Sequence, residues 1–480
     1  MKKTISVICY LLSVICLLAA CDWRLLDTEG WASSPTPNPS MSAAPTDTPW
    51  QTVPKKRYNE LFGLAWDNAH ISHPLAAANR YNDCVYTLVY DSLFTLDERF
   101  EPVPNLCASI TTTDNLSFTL TLVDAVFHDG SPLVAADVVY SLKAVGFNAY
   151  EVGEGVAVAL AVPNPRLAAE LVTPIVKAGS MAYGFPWAGT GPYAFVWGED
   201  DDGNGSMHLE SNAAWWRRGA LPLARIELCD ASRPYELPYK MGVSDISLIV
   251  EDAGDSFGVS YRGDFERWGY PTTILQYMAV NPATLSPDAA QAISAIIDRS
   301  AIAASIYGGA ADPTGSAIHP ASPLYPATAT SLQTADPQAF ETLCEVLDWQ
   351  DLNEDGLLDQ PVGRTRQNLS LTILVSEEDN ILLRAASGLR DQLIGAGIDC
   401  RVDARPLHKR EGGLSDALTL GEYDLYLTGE DIGAGFNSHL DVIPLLFRRQ
   451  TLLTQRGMIT DADPLYKQPF HGISKWTVKK

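Results

Sequence analysis

Residues 369–405 read LSLTILVSEEDNILLRAASGLRDQLIGAGIDCRVDAR, and this stretch decides the fold class. Apolar and polar residues alternate at the start of 369–375, which predicts a strand. A helix is expected over about 379–396, with acidic residues around its start. A second strand follows at 401–405, and after a weaker helix a third strand is expected at 423–427. This β-α-β-α-β order predicts a parallel sheet with helical crossovers.

A second strong helix signal begins at Ser286, a favourable N-cap residue, with Pro287 in the first turn. The helix is expected to bury four isoleucines: Ile293, Ile296, Ile297 and Ile302. The charged pair 298–299 is interpreted as a helix-end pair and not as a catalytic one.

The first residues have the layout of a secretory signal. Residues 1–20 combine Lys2 and Lys3 with an apolar run and two alanines before Cys21. This ending resembles the bacterial lipobox, in which the cysteine is lipidated and becomes the first mature residue. The alternative is an uncleaved anchor with an incidental cysteine. Residues 21–55 are rich in Pro, Ser and Thr and predict a tether. We therefore expect a lipid anchor on the outer face of the cytoplasmic membrane, extracellular or periplasmic.

The amino-acid composition limits the number of domains and the classes of function that the chain can have. The 480 residues are 46% hydrophobic, enough for two or three domains with real cores. The formal net charge of −24 is opposite to what nucleic-acid binding requires. Five cysteines follow the signal, and their odd number and spacing predict free thiols: Cys84, Cys107, Cys229, Cys344 and Cys400. A disulfide between the first two of them is the alternative.

Candidate metal sites are weak. Residues 351–356 resemble the start of a calcium loop, but position twelve is Val362 instead of Glu, which favours a plain acidic turn. Residues 200–205 read DDDGNG and are better explained as a hairpin loop. His70 and His73 have a spacing that suits one helix face, yet no third ligand follows nearby. No metal and no cofactor are predicted.

Four separated motifs run along the body of the chain. The most specific is VFHDGSPLVAADVVYSL at 126–142, and the others are GTGPY at 189–193, QYMAVN at 276–281 and DLNEDGLLD at 351–359. Their order resembles the family 5 extracellular solute-binding proteins, the oligopeptide and dipeptide receptors of ABC importers. The first motif looks like the family's FHDG…P…A.DV.YS signature. The resemblance covers most of 58–480.

The resemblance implies an α/β, two-lobed fold like that of periplasmic binding proteins (type II, family 5 with an extra subdomain), with mixed or parallel sheets and flanking helices. Lobe I would span 56–270 and include the extra subdomain at about 84–185. Lobe II would span 271–435, and 436–480 would return to lobe I. The family usually carries several tens of residues more in lobe II, so this lobe is expected to be shortened.

The resemblance also suggests functional residues. It places the signature residues Gly189, Thr190, Gly191 and Pro192 near the hinge, with strands crossing between the lobes at 189–193 and 270–281. It implies an aspartate after the third strand that pairs with a peptide's α-ammonium through a charge-assisted hydrogen bond.

Glu430 and Asp431 are nearest that position. Trp187 and Tyr277 either stack on the ligand or pack in the core, and Asn281 is counted with them as a ligand residue.

Together these features predict a monomeric lipoprotein that captures peptides or related small solutes and delivers them to an ABC importer permease by hinge closure. No enzyme is predicted, because the sequence has no GxSxG, GxxxxGK or complete GxGxxG motif. Two alternatives stay open. One is a degenerate receptor that acts as a sensor or interaction lipoprotein, and the other is a cell-surface hydrolase with a carboxylate pair.

Overall fold

The computed structural model describes most of the chain after the N-terminal segment: residues 62–76, 79–182, 184–199, 205–242, 245–252, 265–407, 409, 411–435 and 442–479. The predicted signal peptide at 1–20, the lipidation site Cys21 and the tether at 21–55 lie outside the described residues. No helix in the described ranges is long and apolar enough to cross a membrane.

The strands in chain order are β1 (Gly63–Trp66), β2 (Phe94–Leu96), β3 (Pro102–Pro104), β4 (Cys107–Thr112), β5 (Ser117–Leu122), β6 (Asn148–Val152), β7 (Gly155–Ala159), β8 (Tyr193–Glu199), β9 (Gly205–Ser211), β10 (Arg225–Asp230), β11 (Leu248–Asp252), β12 (Phe265–Val280), β13 (Ala311–Pro313), β14 (Asp359–Val362), β15 (Thr365–Asn368), β16 (Ser370–Ser376), β17 (Asp399–Arg405), β18 (Leu425–Asp431), β19 (Val442–Gln455), β20 (Ile459–Thr460) and β21 (Thr477–Val478).

The α-helices are α1 (Arg80–Val89), α2 (Ala135–Ala144), α3 (Leu167–Glu170), α4 (Leu237–Gly242), α5 (Pro287–Ile296), α6 (Arg299–Ser305), α7 (Pro337–Leu347), α8 (Asn380–Gly395) and α9 (Leu414–Leu420). Short 3-10 helices cover Ser180–Ala182, Pro234–Glu236, Ala327–Ala329, Ser331–Gln333 and Ile473–Lys475.

One large mixed sheet organises the molecule. Within the described residues it contains eleven strands in the order β17-β16-β18-β12-β19-β11-β1-β10-β9-β8, with β13 paired to β19. The strands β16, β17 and β18 run parallel, and β1 is parallel to β10 and β11, whereas β12 and β19 are antiparallel to their neighbours. The predicted α/β class with mixed sheets and flanking helices is confirmed.

The unit predicted from residues 369–405 is present as β16-α8-β17 and continues through α9 to β18. Asp379 caps α8, because its carboxylate accepts hydrogen bonds from the backbone N–H groups of Ile381 and Leu382. Gly397 follows the helix at φ 83°, a conformation that suits glycine and reverses the chain into β17. Local sequence signals therefore agree with the tertiary structure throughout this unit.

The three largest hydrophobic cores among the described residues pack around the sheets. The first core joins β1, α1 and parts of β9 to β12 and β19, with Leu64, Trp66, Val85, Leu209 and Leu452 among its members. The second core joins α5 to α8 with β16 to β19, and includes Met278, Ile293, Ile373, Leu389 and Leu446. The third core fills a separate four-stranded sheet, β4-β5-β7-β6, and includes Leu106, Phe118, Val138 and Val158. This small sheet lies within the predicted extra subdomain at about 84–185.

Two long strands connect the first core to the second. β12 and β19 pair along most of their length, but the register breaks between the pairs Pro271–Arg449 and Leu275–Phe447. Three residues of β12, 272–274, therefore stand opposite one residue of β19, Arg448. An irregularity of this kind bends a strand pair and increases its twist. The crossing predicted at 270–281 thus coincides with a distorted part of β12.

The crossing predicted at 189–193 is not made there. The strand that follows, β8, pairs only with β9 among the described strands and forms one end of the large sheet. The two strands that pass between the cores are β12 and β19. A hinge role for residues 189–192 stays a prediction.

The helix predicted from Ser286 is interrupted. Ser286 caps α5 as expected, but Ile297 is extended and Asp298 caps a new helix by accepting a hydrogen bond from the Ala301 N–H at 2.8 Å. Ile302 therefore lies on α6 and not on the predicted helix, although it is buried in the same core. The pair 298–299 does mark a helix boundary, but it begins the second helix.

The described cysteines are all free thiols, at positions 84, 107, 229, 344 and 400. The Cys84–Cys107 disulfide, kept as an alternative, is therefore not formed.

Candidate functional site

The distorted part of β12 and the residues just after it carry polar side chains that are buried. Thr272, Thr273 and Gln276 are almost fully buried. The hydroxyl of Thr272 donates a hydrogen bond to the backbone oxygen of Arg448 at 2.6 Å, and the hydroxyl of Tyr307 donates to Oε1 of Gln276. The amide nitrogen of Gln276 has no hydrogen-bond partner among the described residues. Since buried donors are normally satisfied, this nitrogen is an exception in the part of the chain that the structure describes.

Asp431, at the end of β18, connects this polar region to the C-terminal segment. Its Oδ1 accepts hydrogen bonds from the Thr273 hydroxyl at 2.5 Å and from the Gly433 N–H at 3.1 Å. Its Oδ2 accepts a hydrogen bond from the hydroxyl of Tyr466 and lies 3.4 Å from Nζ of Lys467. The predicted aspartate is therefore held by groups from three separate parts of the chain.

The carboxylate of Asp431 is charged and reachable. Burial alone would raise its pKa, but the charge of Lys467 and the hydrogen bonds from Thr273, Tyr466 and Gly433 bring the pKa below its ordinary value. Its side chain remains 38% exposed. Asp431 is therefore an ionised anchor that a solute can approach from solvent.

Asp83 places a second carboxylate in the same surroundings. It lies in the first turn of α1 and is exposed, yet burial raises its pKa to about 6, while the nearby charge of Lys467 acts in the opposite direction. We call the group Asp83, Asp431, Tyr466 and Lys467 the charged cleft.

Tyr277 and Glu430 lie beside the charged cleft on adjacent strands. The Tyr277 hydroxyl donates a hydrogen bond to Oε2 of Glu430 at 3.1 Å. In the register of β12 against β18, Leu275 is opposite Glu430, and Ile274 is opposite Asp431. The structure thus brings together Tyr277, Glu430 and Asp431 from the predicted ligand residues.

Asn281 has a different environment. Its amide nitrogen donates to the backbone oxygens of Tyr423 at 2.7 Å and Gly421 at 3.3 Å, and its Oδ1 accepts from the Ala283 N–H at 3.0 Å. The residue is buried. These bonds tie the end of β12 to the start of β18, which is a structural role.

Trp187 lies in an aromatic group of the first core. Its ring is 4.8 Å from that of His73 and 5.4 Å from that of Phe185, measured between centroids. Its backbone oxygen accepts a hydrogen bond from the Tyr90 hydroxyl at 3.0 Å. The half-buried ring therefore has the core-packing environment that was the alternative to ligand stacking.

The GTGPY motif packs directly on the end of α1. A Cβ atom at Gly189 would lie 2.0 Å from the backbone oxygen of Val89, so only glycine fits. The same Cβ at Gly191 would lie 2.6 Å from the backbone oxygen of Leu88. The two glycines of the motif therefore let its backbone approach the backbone of α1 closely.

His128 joins the FHDG motif to the GTGPY motif. Its Nδ1 accepts a hydrogen bond from the Gly189 N–H at 3.1 Å, and its Nε2 lies 3.1 Å from the Gly191 oxygen. This pair of contacts fits a neutral ring protonated at Nε2. Thr190 donates to Oδ2 of Asp91, and the backbone oxygen of Pro192 accepts from a later N–H, that of Asn212. The signature residues therefore stabilise the fold of the first core.

The candidate metal ligands have other partners. Nδ1 of His70 lies 2.9 Å from Oδ2 of Asp67, whereas Nε2 of His73 lies 3.0 Å from the hydroxyl of Ser180. In the turn at 351–356, the Asp351 carboxylate accepts hydrogen bonds from backbone N–H groups of the turn itself. Within the described ranges no group of three or more His, Cys, Asp or Glu residues could hold a metal ion.

One known protein family matches a large part of the chain. The family described as bacterial extracellular solute-binding proteins, family 5 middle, matches residues 152–448. No curated protein sequence matches the chain.

Solved structures are similar at low identity. The oligopeptide-binding protein AppA from Bacillus subtilis in complex with a nonapeptide is 17% identical, with a TM-score of 0.55 over 87% of this chain and 99% of that one. An ABC transporter substrate-binding protein from Sinorhizobium meliloti is 15% identical, with a TM-score of 0.65 over 88% and 100%. A nickel ABC transporter protein from Bacillus halodurans is 14% identical, with a TM-score of 0.65 over 85% and 98%.

Proposed function

The chain belongs to the family 5 bacterial extracellular solute-binding proteins, and we propose that it captures short peptides or related small solutes and delivers them to an ABC importer permease. The observation that carries this proposal is the Asp431 carboxylate, which is ionised and accessible at the crossing of two strands between two cores. A carboxylate in this position suits the α-ammonium or a backbone N–H group of a peptide.

Delivery would use hinge closure between lobe I (56–270 with 436–480) and lobe II (271–435). The register break at residues 272–274 supplies a place where β12 can bend against β19. A solute would favour the closed form only to the extent that it binds that form more tightly than the open one.

The membrane anchor would be the lipidated Cys21, exposed after removal of residues 1–20. Two acyl chains hold a protein on a bilayer far more strongly than one. The tether at 21–55 would let the folded part reach the permease from the outer face of the cytoplasmic membrane. Replacing Cys21 with Ser should move the protein from the membrane fraction to the soluble fraction, and unchanged membrane retention would contradict the lipid anchor.

The solute proposal is tested on full-length protein extracted in mild detergent. Native mass spectrometry should detect a co-purified peptide, and pooled dipeptides to hexapeptides should raise the melting temperature in a concentration-dependent way. The matched variants are Asp431→Asn, which should weaken the response, and Asp391→Asn, an exposed site elsewhere that should not.

A folded protein that carries no solute and responds to no peptide would favour the degenerate receptor, and nickel complexes and haem would be tested next. Hydrolysis of the added peptides or of a cell-surface polymer would favour the hydrolase.

A further inference from the structure

The backbone fixes Lys467 at the mouth of the charged cleft. It lies in a tight turn closed by two hydrogen bonds between Leu465 and Gln468, at 3.1 Å and 2.9 Å. Its φ angle is 57°, a conformation that L residues adopt at a cost and that the surrounding structure must impose. The turn therefore presents the lysine side chain in a defined direction.

The ammonium of Lys467 has anionic groups from two different elements near it. Oδ2 of Asp431 on β18 is 3.4 Å away, and the charge of Lys467 also acts on Asp83 in α1. The ring of Tyr466 lies 5.5 Å below the ammonium, which adds a cation–π contact. With 44% of its side chain exposed, Lys467 stays in contact with solvent. The turn thus places a cation beside the Asp431 carboxylate and an aromatic face, where a cation from outside would otherwise bind.

We propose that Lys467 is a specificity-determining residue, whose ammonium fills the cation site at the Asp431 carboxylate, so that the cleft disfavours solutes carrying a free ammonium there and prefers solutes with a neutral end. This inference rests on the proposed solute-binding function.

A tethered group competes at an effective concentration in the millimolar range or above, so a solute ammonium must displace Lys467 before it can pair with Asp431. A solute with an acylated amine avoids this competition, and its carbonyl oxygen can accept a hydrogen bond from Lys467 instead. The cleft therefore selects against a free ammonium because Lys467 already occupies the cation site, and not because the site is missing.

The test compares two probes on four proteins. The probes are one pool of dipeptides to hexapeptides with free amines and the same pool after N-acetylation. The proteins are the full-length wild type, Lys467→Met, Lys467→Arg and the control Lys475→Met, which removes an exposed lysine of the same segment. Apparent affinities come from melting temperature against probe concentration.

We expect the wild type, Lys467→Arg and Lys475→Met to favour the acetylated pool. Lys467→Met should bind the free-amine pool about tenfold more tightly than the wild type does, which corresponds to about 1.4 kcal/mol. An equal preference for free amines in all four proteins would overturn the selectivity while leaving the solute-binding function intact. If neither pool stabilises any of the four proteins, the peptide function fails, and the selectivity fails with it.

Discussion

The imidazole ring of His319 stacks on the ring of Phe100, with centroids 4.7 Å apart and ring planes inclined by 51°. The same imidazole is also 4.7 Å from the ring of Phe447, measured between centroids, so it contacts two aromatic side chains. Its Nε2 is 3.3 Å from Oδ2 of Asp312, which in turn forms two 3.1 Å contacts with Arg449. These contacts join the turn between β2 and β3 to the crossing strand β19.

We expect Phe100→Ala to destabilise the fold strongly. Phe100 is 1% exposed and belongs to a cluster that also contains Leu275 and Tyr466. Removing a buried phenylalanine ring typically lowers the free energy of unfolding by about 3–5 kcal/mol. Urea denaturation measures the change, and Tyr150→Ala, at a 46% exposed site, is the control. A loss of under about 1 kcal/mol at Phe100 would contradict the packing described.

Asp83→Asn should stabilise the protein at neutral pH. Burial raises the pKa of Asp83 to about 6, so the folded state holds this proton more tightly than the unfolded state does. Stability of the wild type therefore falls as pH rises from about 4 to about 6, and the asparagine variant avoids this loss.

The measurement is urea unfolding from pH 4 to 7.5. The advantage of the variant should grow up to about pH 6 and then level off, because ionisation of Asp83 is complete above its pKa. Glu154→Gln, at an exposed turn, should give a curve parallel to the wild type. If the gain in unfolding free energy of the variant were the same at all pH values, burial would not raise the pKa of Asp83.

The sequence predicts those parts of the fold that depend on interactions between residues close together in the chain. The period-two strand at 370–376 and the cap at Asp379 depend on neighbours within a few residues. The helix break at Ile297 was missed because the cap at Asp298 competes with a continuous apolar pattern. The break also positions buried Arg299, whose hydrogen bonds to Pro444 and Leu332 are tertiary contacts that a local pattern does not reveal.

The charged cleft, in contrast, depends on contacts between residues that are far apart in the sequence. Asp431 could be identified from its place after a predicted strand, but its partners Thr273, Tyr466 and Lys467 come from distant positions. None of the three lies in a recognised motif. The pairing of β12 with β18 places Thr273 near Asp431, whereas Tyr466 and Lys467 reach it from the C-terminal segment. Asn281 differs from Asp431, because its place in a motif coincides with a structural hydrogen bond to the backbone oxygen of Tyr423, and a ligand role for it stays a prediction.

We expect Gly189→Ala to lower the free energy of unfolding strongly, although it adds only one methyl group. The added Cβ would lie 2.0 Å from the backbone oxygen of Val89, and backbone cannot move aside as a side chain can. We expect a loss of about 3 kcal/mol or more, measured by urea denaturation. Gly242→Ala is the matched control, since nothing lies within 4 Å of its Cβ position and its helix favours alanine. Equal stability of the two variants would mean that the GTGPY motif does not pack on α1 as described.

Arg299→Lys should destabilise the protein nearly as much as Arg299→Met. Arg299 is fully buried, and its guanidinium donates to four backbone oxygens and one hydroxyl: Pro444, Ser294, Ile297 and Leu332 through their oxygens, and the Ser294 side chain. None of these acceptors is a carboxylate, and burial lowers the pKa of Arg299 to about 10.

A lysine has three donors at one point and cannot reproduce the planar fork, so several buried carbonyls lose their partners. We expect a loss of about 3 kcal/mol or more by urea denaturation. Arg390→Lys, on a 39% exposed side chain, should cost under about 0.5 kcal/mol. If Arg299→Lys were as mild as this control, charge alone and not the fork of hydrogen bonds would be holding α5, α6 and β19 together.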